Sequence, residues 1–208
     1  MLIVRLYSYK VRYDIGFAPN PFHGVCTLAT CKPRIRAGAS VGDWVIGVGS
    51  VGQGTLGRLV FGMQVDERLT FDEYWADERF QSKKADRHGS LKYRYGDNVY
   101  HRDAGGQWVQ SDCRHSLEDG SPNMDHVRRD TSADAVLISK RFSYFGSQGP
   151  VIPHSLRAWG DASVDLGEPG RDHTYTAYPP EMIQEFATWF GTLESGYQHP
   201  PKDWGGLT

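Results

Sequence analysis

The chain has 208 residues, 39% of them hydrophobic and 23% charged, with 23 Lys and Arg against 25 Asp and Glu. This length suits one ordinary domain, residues 1–208, rather than two with independent cores. A net charge of −2 excludes the strongly basic footprint of a general nucleic-acid binder and argues against a disordered chain.

Leu, Ile, Val and Phe number only 44, and 26 aromatic rings supply the apolar area that the aliphatics lack. No stretch approaches the roughly 18 apolar residues of a membrane span, and MLIVRLYSYKVRY carries charges where a signal peptide is apolar. A cytoplasmic protein with no membrane partner is expected. Cys26, Cys31 and Cys113 are an odd count without C-x-x-C spacing, so reduced thiols are expected.

In chain order, LIVRLYSYKVRY alternates and is rich in β-branched and aromatic residues, which predicts a strand. DIGFAPNPFHG, with two Gly and two Pro, predicts an irregular loop. Beyond it, Lys32, Arg34 and Arg36 are spaced by two along a segment read as extended. The strands expected at Trp44–Val48 and in RLVFGMQVDERL flank a Gly-rich tip and predict a hairpin. Thr70 and Glu73 form a capping box, and Phe71, Tyr74 and Trp75 share a face, so a short helix to about Phe80 is predicted.

Residues 81–134 are polar and read as an insertion of loops, with short strands at YRYGDNVYH and GGQWVQ. VLISKRFSYFG predicts a buried strand, and Met182, Ile183, Phe186, Ala187 and Phe190 predict a helix over 180–193. The tail YQHPPKDWGGLT reads as coil.

Charge is unevenly spread. Residues 1–60 hold 7 basic and 2 acidic side chains, 61–135 hold 11 and 15, and 136–208 hold 5 and 8. Any phosphate contact is therefore expected in the N-terminal third.

Donors suited to zinc occur at His23, Cys26, Cys31, Cys113 and His115, but their spacings are not those of a zinc knuckle, so no metal is expected. Cys26 or Cys31 could be matched with one of eight histidines as a nucleophile, a drawing that any eight histidines permit. The chain contains no G-x-S-x-G, P-loop, H-E-x-x-H or zinc-deaminase signature, and GVGSVGQG precedes a strand rather than a helix. No cofactor is expected, and the catalytic residues are unassigned. Rings beside amides and carboxylates, such as Tyr13, Phe17, Asn20, Phe22 and Asn98, are what a site needs to stack on a base and read its edge.

The runs YDIGFAPNPFHGVCTLATCKPRIR, GDWVIGVGS, KYRYGDNVYHRDAGGQWVQ and HSLEDGSPNMDHVRRDTSADAVLISKRFSYFG, followed by GPVIP, resemble the bacterial and phage family called nucleotide modification associated domain, type two. The resemblance spans about residues 1–156 and implies a link to modified nucleotides or modified DNA, in a modification or defence setting. More distantly, GDWVIG, LVFGMQV and TFDEYW resemble the barrel core of PUA-like domains such as ASCH and EVE, where a cleft can receive an extruded base.

The fold implied is α+β: a partly closed PUA-like β-barrel with flanking helices and a long insertion. The function expected is recognition of a modified base or nucleotide, in DNA more than RNA. Phe17, Phe22 and Trp44 would stack, Asp14, Asn20 and Asn98 would read edges, and Lys32, Arg34 and Arg36 would hold phosphates. One alternative is an enzyme that makes or processes a nucleotide modification, with Asp14, Asp97 or His101 as acid or base. Another is a protein-interaction module.

Overall fold

A computed structural model describes residues 4–160, 164–168, 174–175 and 178–206. Its first half contains β1 (Leu6–Lys10), β2 (Cys26–Leu28), α1 (Pro33–Gly38), β3 (Trp44–Val48), β4 (Leu59–Gln64), β5 (Glu67–Leu69), α2 (Phe71–Ala76) and α3 (Leu91–Arg94). Then follow β6 (Tyr100–Arg102), β7 (Trp108–Gln110), α4 (Met124–Asp130), β8 (Val136–Ser139), β9 (Arg141–Tyr144), β10 (Thr174–Tyr175), α5 (Pro180–Phe190) and β11 (Gly196–Tyr197).

The main sheet has six strands in the order β10-β1-β3-β4-β9-β11. β1 and β3 are parallel, with β2 and α1 in the crossover between them, and β3 and β4 form the expected antiparallel pair. A second sheet, β2-β8-β5, is joined to the first by a shared bend. β4 leads into β5 at Asp66 just where β8 leads into β9 at Lys140. Asp66 Oδ2 accepts the Lys140 N–H at 2.7 Å and Oδ1 accepts Arg141 Nε at 2.9 Å, which holds the corner. Strands that change sheet through such a bend can begin a barrel. Among the described residues no sheet closes, however, so the α+β class stands while the PUA-like barrel is not confirmed.

Alternation along the strands gives the main sheet two different faces. Leu6, Trp44, Ile46, Val48 and Leu59 meet Met182, Ile183, Phe186 and Phe190 of α5. Gly62 permits that docking, because a Cβ there would lie 2.5 Å from the Phe190 ring. Tyr7, Tyr9, Val45, Phe61, Met63 and Tyr144 face the opposite way, toward Leu28, Ile35 and Leu137. The polar segment 81–134 also has an apolar interior, where Val99, Tyr100 and Val127 join Phe71, Tyr74 and Ile138.

α2 begins with the capping box: Thr70 Oγ1 accepts the Glu73 N–H at 3.2 Å, and Glu73 Oε2 accepts the Thr70 N–H at 2.7 Å. It stops at Ala76 instead of near Phe80, because Asp77 caps a following 3-10 turn, Glu78–Lys83. Residues Lys32 to Arg36 are not extended, since Pro33 starts α1 there. The tail is not plain coil: it forms β11 and a 3-10 turn, Lys202–Gly206. Trp204 Nε1 donates to Ile15 O at 2.9 Å, and the Asp14 N–H donates to Asp203 Oδ2 at 2.7 Å, so the tail fastens the Pro/Gly loop. No helix among the described residues is long and apolar enough to cross a membrane.

Candidate functional site

A cleft of about 800 Å³ opens where the end of β1, the loop after it, the start of α1, the turn at Arg114–Ser116 and α4 meet. This is within the size range of small-ligand sites, about 300–1,000 Å³. Lys10, Arg12, Lys32, Arg34, Arg114 and Arg129 line it, with His115 and His126 and no Asp or Glu. The side chains of Lys10, Arg12, Arg34 and Arg114 form no ion pair among the described residues. Tyr13 stands on the wall with 77% of its surface exposed, and Phe17 lies deeper.

At the floor, three chain segments converge on one row of atoms. Cys31 Sγ lies 3.6 Å from His115 Nε2, and His115 Nδ1 lies 2.8 Å from Asp130 Oδ2. Cys31 and Lys32 precede α1 in the left-handed region, at φ 56° and 41°, and Arg36 Nε fixes the Cys31 carbonyl at 2.8 Å. His115 rides on a turn closed by the Ser116 N–H to Cys113 O bond of 3.0 Å. Its ring meets Phe17 edge-on, 4.8 Å between centroids, and His126 at a tilt, 4.1 Å between centroids. Asn123 caps α4 by accepting the N–H groups of Asp125 and His126, and helical spacing puts His126, Arg129 and Asp130 on one side.

Asp130 is fully buried and accepts from Tyr100 Oη at 3.0 Å and from the Cys31 N–H at 3.1 Å. Burial alone would raise its pKa, but the His115 hydrogen bond and the His115, Arg129 and Arg36 charges outweigh that and hold it below the usual carboxylate range. Burial, followed by the Asp130 charge, pushes the Cys31 thiol up to about 11, against Arg129, Lys32 and Arg36. The thiol is therefore protonated at neutral pH, with an imidazole beside it as base. Burial, then His115 and Arg129, lowers His126. Cys31, His115 and Asp130 offer donor atoms within 4.8 Å of one another, so they are also the residues that could hold a metal ion.

Of the residues expected from the sequence, Tyr13, Phe17, Lys32 and Arg34 reach this cleft. Arg36 does not line it: two positions along a helix point it away from Arg34, and it is buried, donating to the carbonyls of Ala133, Ala135 and Asp130. Trp44 lies on the far sheet face, packed on Phe186 and Phe190. Asp14 is buried, accepting from Tyr144 Oη and from the Lys202 N–H, and burial raises its pKa.

Phe22 is stacked on Trp204. Asn20 donates to Tyr95 O at 2.8 Å and receives Lys83 Nζ at 2.7 Å, while Asn98 donates to Tyr74 O and Phe80 O. Asp97 accepts from Thr27 and Tyr74 hydroxyls, and His101 stacks on Trp75 at 4.0 Å. Asp14, Asp97 and His101 thus have separate partners and form no common site. Sequence reasoning missed Asp130, His126, Arg114 and Arg129; it named Cys31 and His115 among zinc donors and Cys31 as a nucleophile that any of eight histidines could serve, without choosing the histidine. The one local sign was a cation beside each floor residue, in Cys31-Lys32, Arg114-His115 and Arg129-Asp130.

The family model described as nucleotide modification associated domain 2 matches residues 3–207. No curated protein and no solved structure matches the chain.

Proposed function

The chain belongs to the nucleotide modification associated domain 2 family, and on that premise we propose that the cleft binds a phosphorylated nucleotide with a modified base, free or within DNA. The observation that carries this reading is the lining: six Lys and Arg side chains and no carboxylate around a space of about 800 Å³. Such a site repels acidic groups nowhere along its wall and focuses an anion within it. Lys32 and Arg34 hold phosphate together with Arg114 and Arg129, which come from the acidic middle of the chain. Tyr13, so exposed at this wall, gives the base a face to stack on, and Phe17 closes the deeper end.

Titration calorimetry with nucleoside monophosphates, triphosphates and matched DNA and RNA oligonucleotides, with and without base modifications, tests the proposal at two salt concentrations. Arg34→Ala and Arg114→Ala are each expected to weaken binding and to flatten its salt dependence by about one charge. Tyr13→Ala is expected to cost about 1–3 kcal/mol of binding. Affinity unchanged in both arginine variants would sink the reading. RNA bound more tightly than DNA would overturn its DNA part.

A further inference from the structure

The floor of the cleft is ordered as a relay. Thiol, imidazole and carboxylate follow one another, Cys31 Sγ to His115 Nε2 at 3.6 Å and His115 Nδ1 to Asp130 Oδ2 at 2.8 Å. The carboxylate fixes the proton on Nδ1 and leaves Nε2 as the acceptor that a thiol needs. Asp130 is itself held by Tyr100 and the Cys31 N–H, so the relay cannot swing freely. A metal would use the same atoms less well. An ion at Nε2 would take Cys31 Sγ as its second ligand while Asp130 kept Nδ1, and among the described residues that leaves two protein ligands where a structural zinc site takes four. Cys26 and Cys113 have no comparable setting: both are buried, and neither lines the cleft.

We propose that Cys31, His115 and Asp130 form a thiol acyl-transfer centre, whose substrate is an ester or amide joining an acyl group to the phosphorylated nucleotide held by the cleft. This rests on the nucleotide reading for the substrate's identity, but not for the chemistry of the thiol. Cys31 gives its proton to His115 Nε2 as Sγ bonds the acyl carbon, and the carbonyl π pair moves to oxygen. When that pair returns, the bond to the nucleotide oxygen or nitrogen breaks, and the leaving atom takes the proton from Nε2. A thioester remains on Cys31. Water then gives a proton to Nε2 and bonds the acyl carbon, and collapse breaks the S–C bond while the sulfur recovers its proton. The net change is hydrolysis of the acyl–nucleotide bond to a carboxylic acid and the free nucleotide. Asp130 stays ionised throughout, holding Nδ1–H and the imidazolium. The thiol, protonated at rest because its pKa is pushed up to about 11, depends on His115 for activation.

The test uses p-nitrophenyl acetate on the full chain, with acid quench and peptide mass mapping. The expected result is a burst of about one p-nitrophenolate per protein and one acetyl group on the Cys31 peptide. Cys31→Ala removes the burst, and His115→Gln slows acetylation on the order of 100-fold or more. The acetylation rate of the wild type depends on pH in a way that is absent in His115→Gln, which a merely structural role for His115 would not produce. Thermal melts of both variants check folding, and an alkylation rate for Cys31 in His115→Gln supplies the comparison if its burst is too small to fit.

Acetyl groups elsewhere, a burst retained in Cys31→Ala, or acetylation independent of His115 overturns the proposal. Stoichiometric zinc that disappears in Cys31→Ala overturns it in favour of a metal site. Nucleotides that bind and shield Cys31 from iodoacetamide without any His115-dependent acetylation leave the nucleotide reading standing and defeat the acyl-transfer centre. Acetylation without any nucleotide binding does the reverse.

Discussion

On one face of the six-stranded sheet, Trp44, Ile46 and Leu59 lie under α5 in a layer made of carbon. On the other, β1 of the same sheet carries Tyr9 to a cleft edged by six cations and floored by a thiol and an imidazole, with a buried carboxylate behind the imidazole. The first face needs only shape and apolar area, so its members are exchangeable within limits of volume. The second needs each polar atom matched: Arg36 alone serves the carbonyls of Cys31, Ala133, Ala135 and Asp130, and the Asp130 carboxylate serves four donors, from Cys31, Tyr100, His115 and Arg129. One side of the sheet sets how firmly the chain folds, and the other sets where a few atoms stand.

Trp44→Ala should show the largest effect on stability and none on the site. Removing this ring from between Phe186 and Phe190 costs about 3–5 kcal/mol in urea unfolding, while nucleotide affinity per folded molecule stays constant. A parallel loss of affinity would break the separation of the two faces. Arg36→Ala comes next, at about 3 kcal/mol, because it strands buried carbonyls that lose their donors. Unlike Trp44→Ala, it should also slow alkylation or acylation of Cys31, and an unaltered Cys31 rate would show that the Arg36 clamp does not aim the thiol.

Thr70→Ala removes the capping box of α2 at a cost of about 1 kcal/mol, away from both the apolar layer and the cleft, and should leave thiol reactivity and binding untouched. The smallest effect is one of slope. Asp130 is held below its ordinary range when folded, so its contribution is complete above the unfolded carboxylate pKa of about 4 and is lost as pH falls through the folded value. Stability of the wild type should therefore fall more steeply on acidification than that of Asp130→Asn. Parallel curves would remove Asp130 from the account of acid sensitivity.

The apolar side could be read from the residues, and the cleft mostly could not. Alternation in LIVRLYSYKVRY, the helical recurrence of Met182, Ile183, Phe186 and Phe190, and the Thr70/Glu73 pair are patterns within a few neighbours, and strands and helices appear where they predict them. α1 was hidden because Lys32, Arg34 and Arg36 satisfy a period of two in either conformation, and so short a helix is fixed by Arg36 bonding to distant carbonyls. The floor was hidden for a related reason: Cys31 stands 84 positions from His115 and 99 from Asp130, so no spacing announces them. Trp44 was misplaced toward the ligand because a ring's chemistry is the same on either side of a sheet, and only register decides which side it joins. The cations of 114 and 129 lie in a stretch whose net charge is acidic, and the fold brings both to one wall of the cleft, with Arg129 paired to the buried Asp130 behind it.

The left-handed backbone at Cys31 and Lys32 sets up a conflict for any selection that rewards heat resistance alone. Each of these residues sits at a positive φ that costs an L-amino acid about 1–2 kcal/mol relative to the ordinary helical region. Glycine relieves that cost, so variants enriched for melting temperature should drift toward glycine at positions 31 and 32. One such step deletes the thiol and the other a cation of the cleft. The most tolerant-looking improvement in this segment is thus the one that disarms it, and a library screened for stability should hold these two positions fixed.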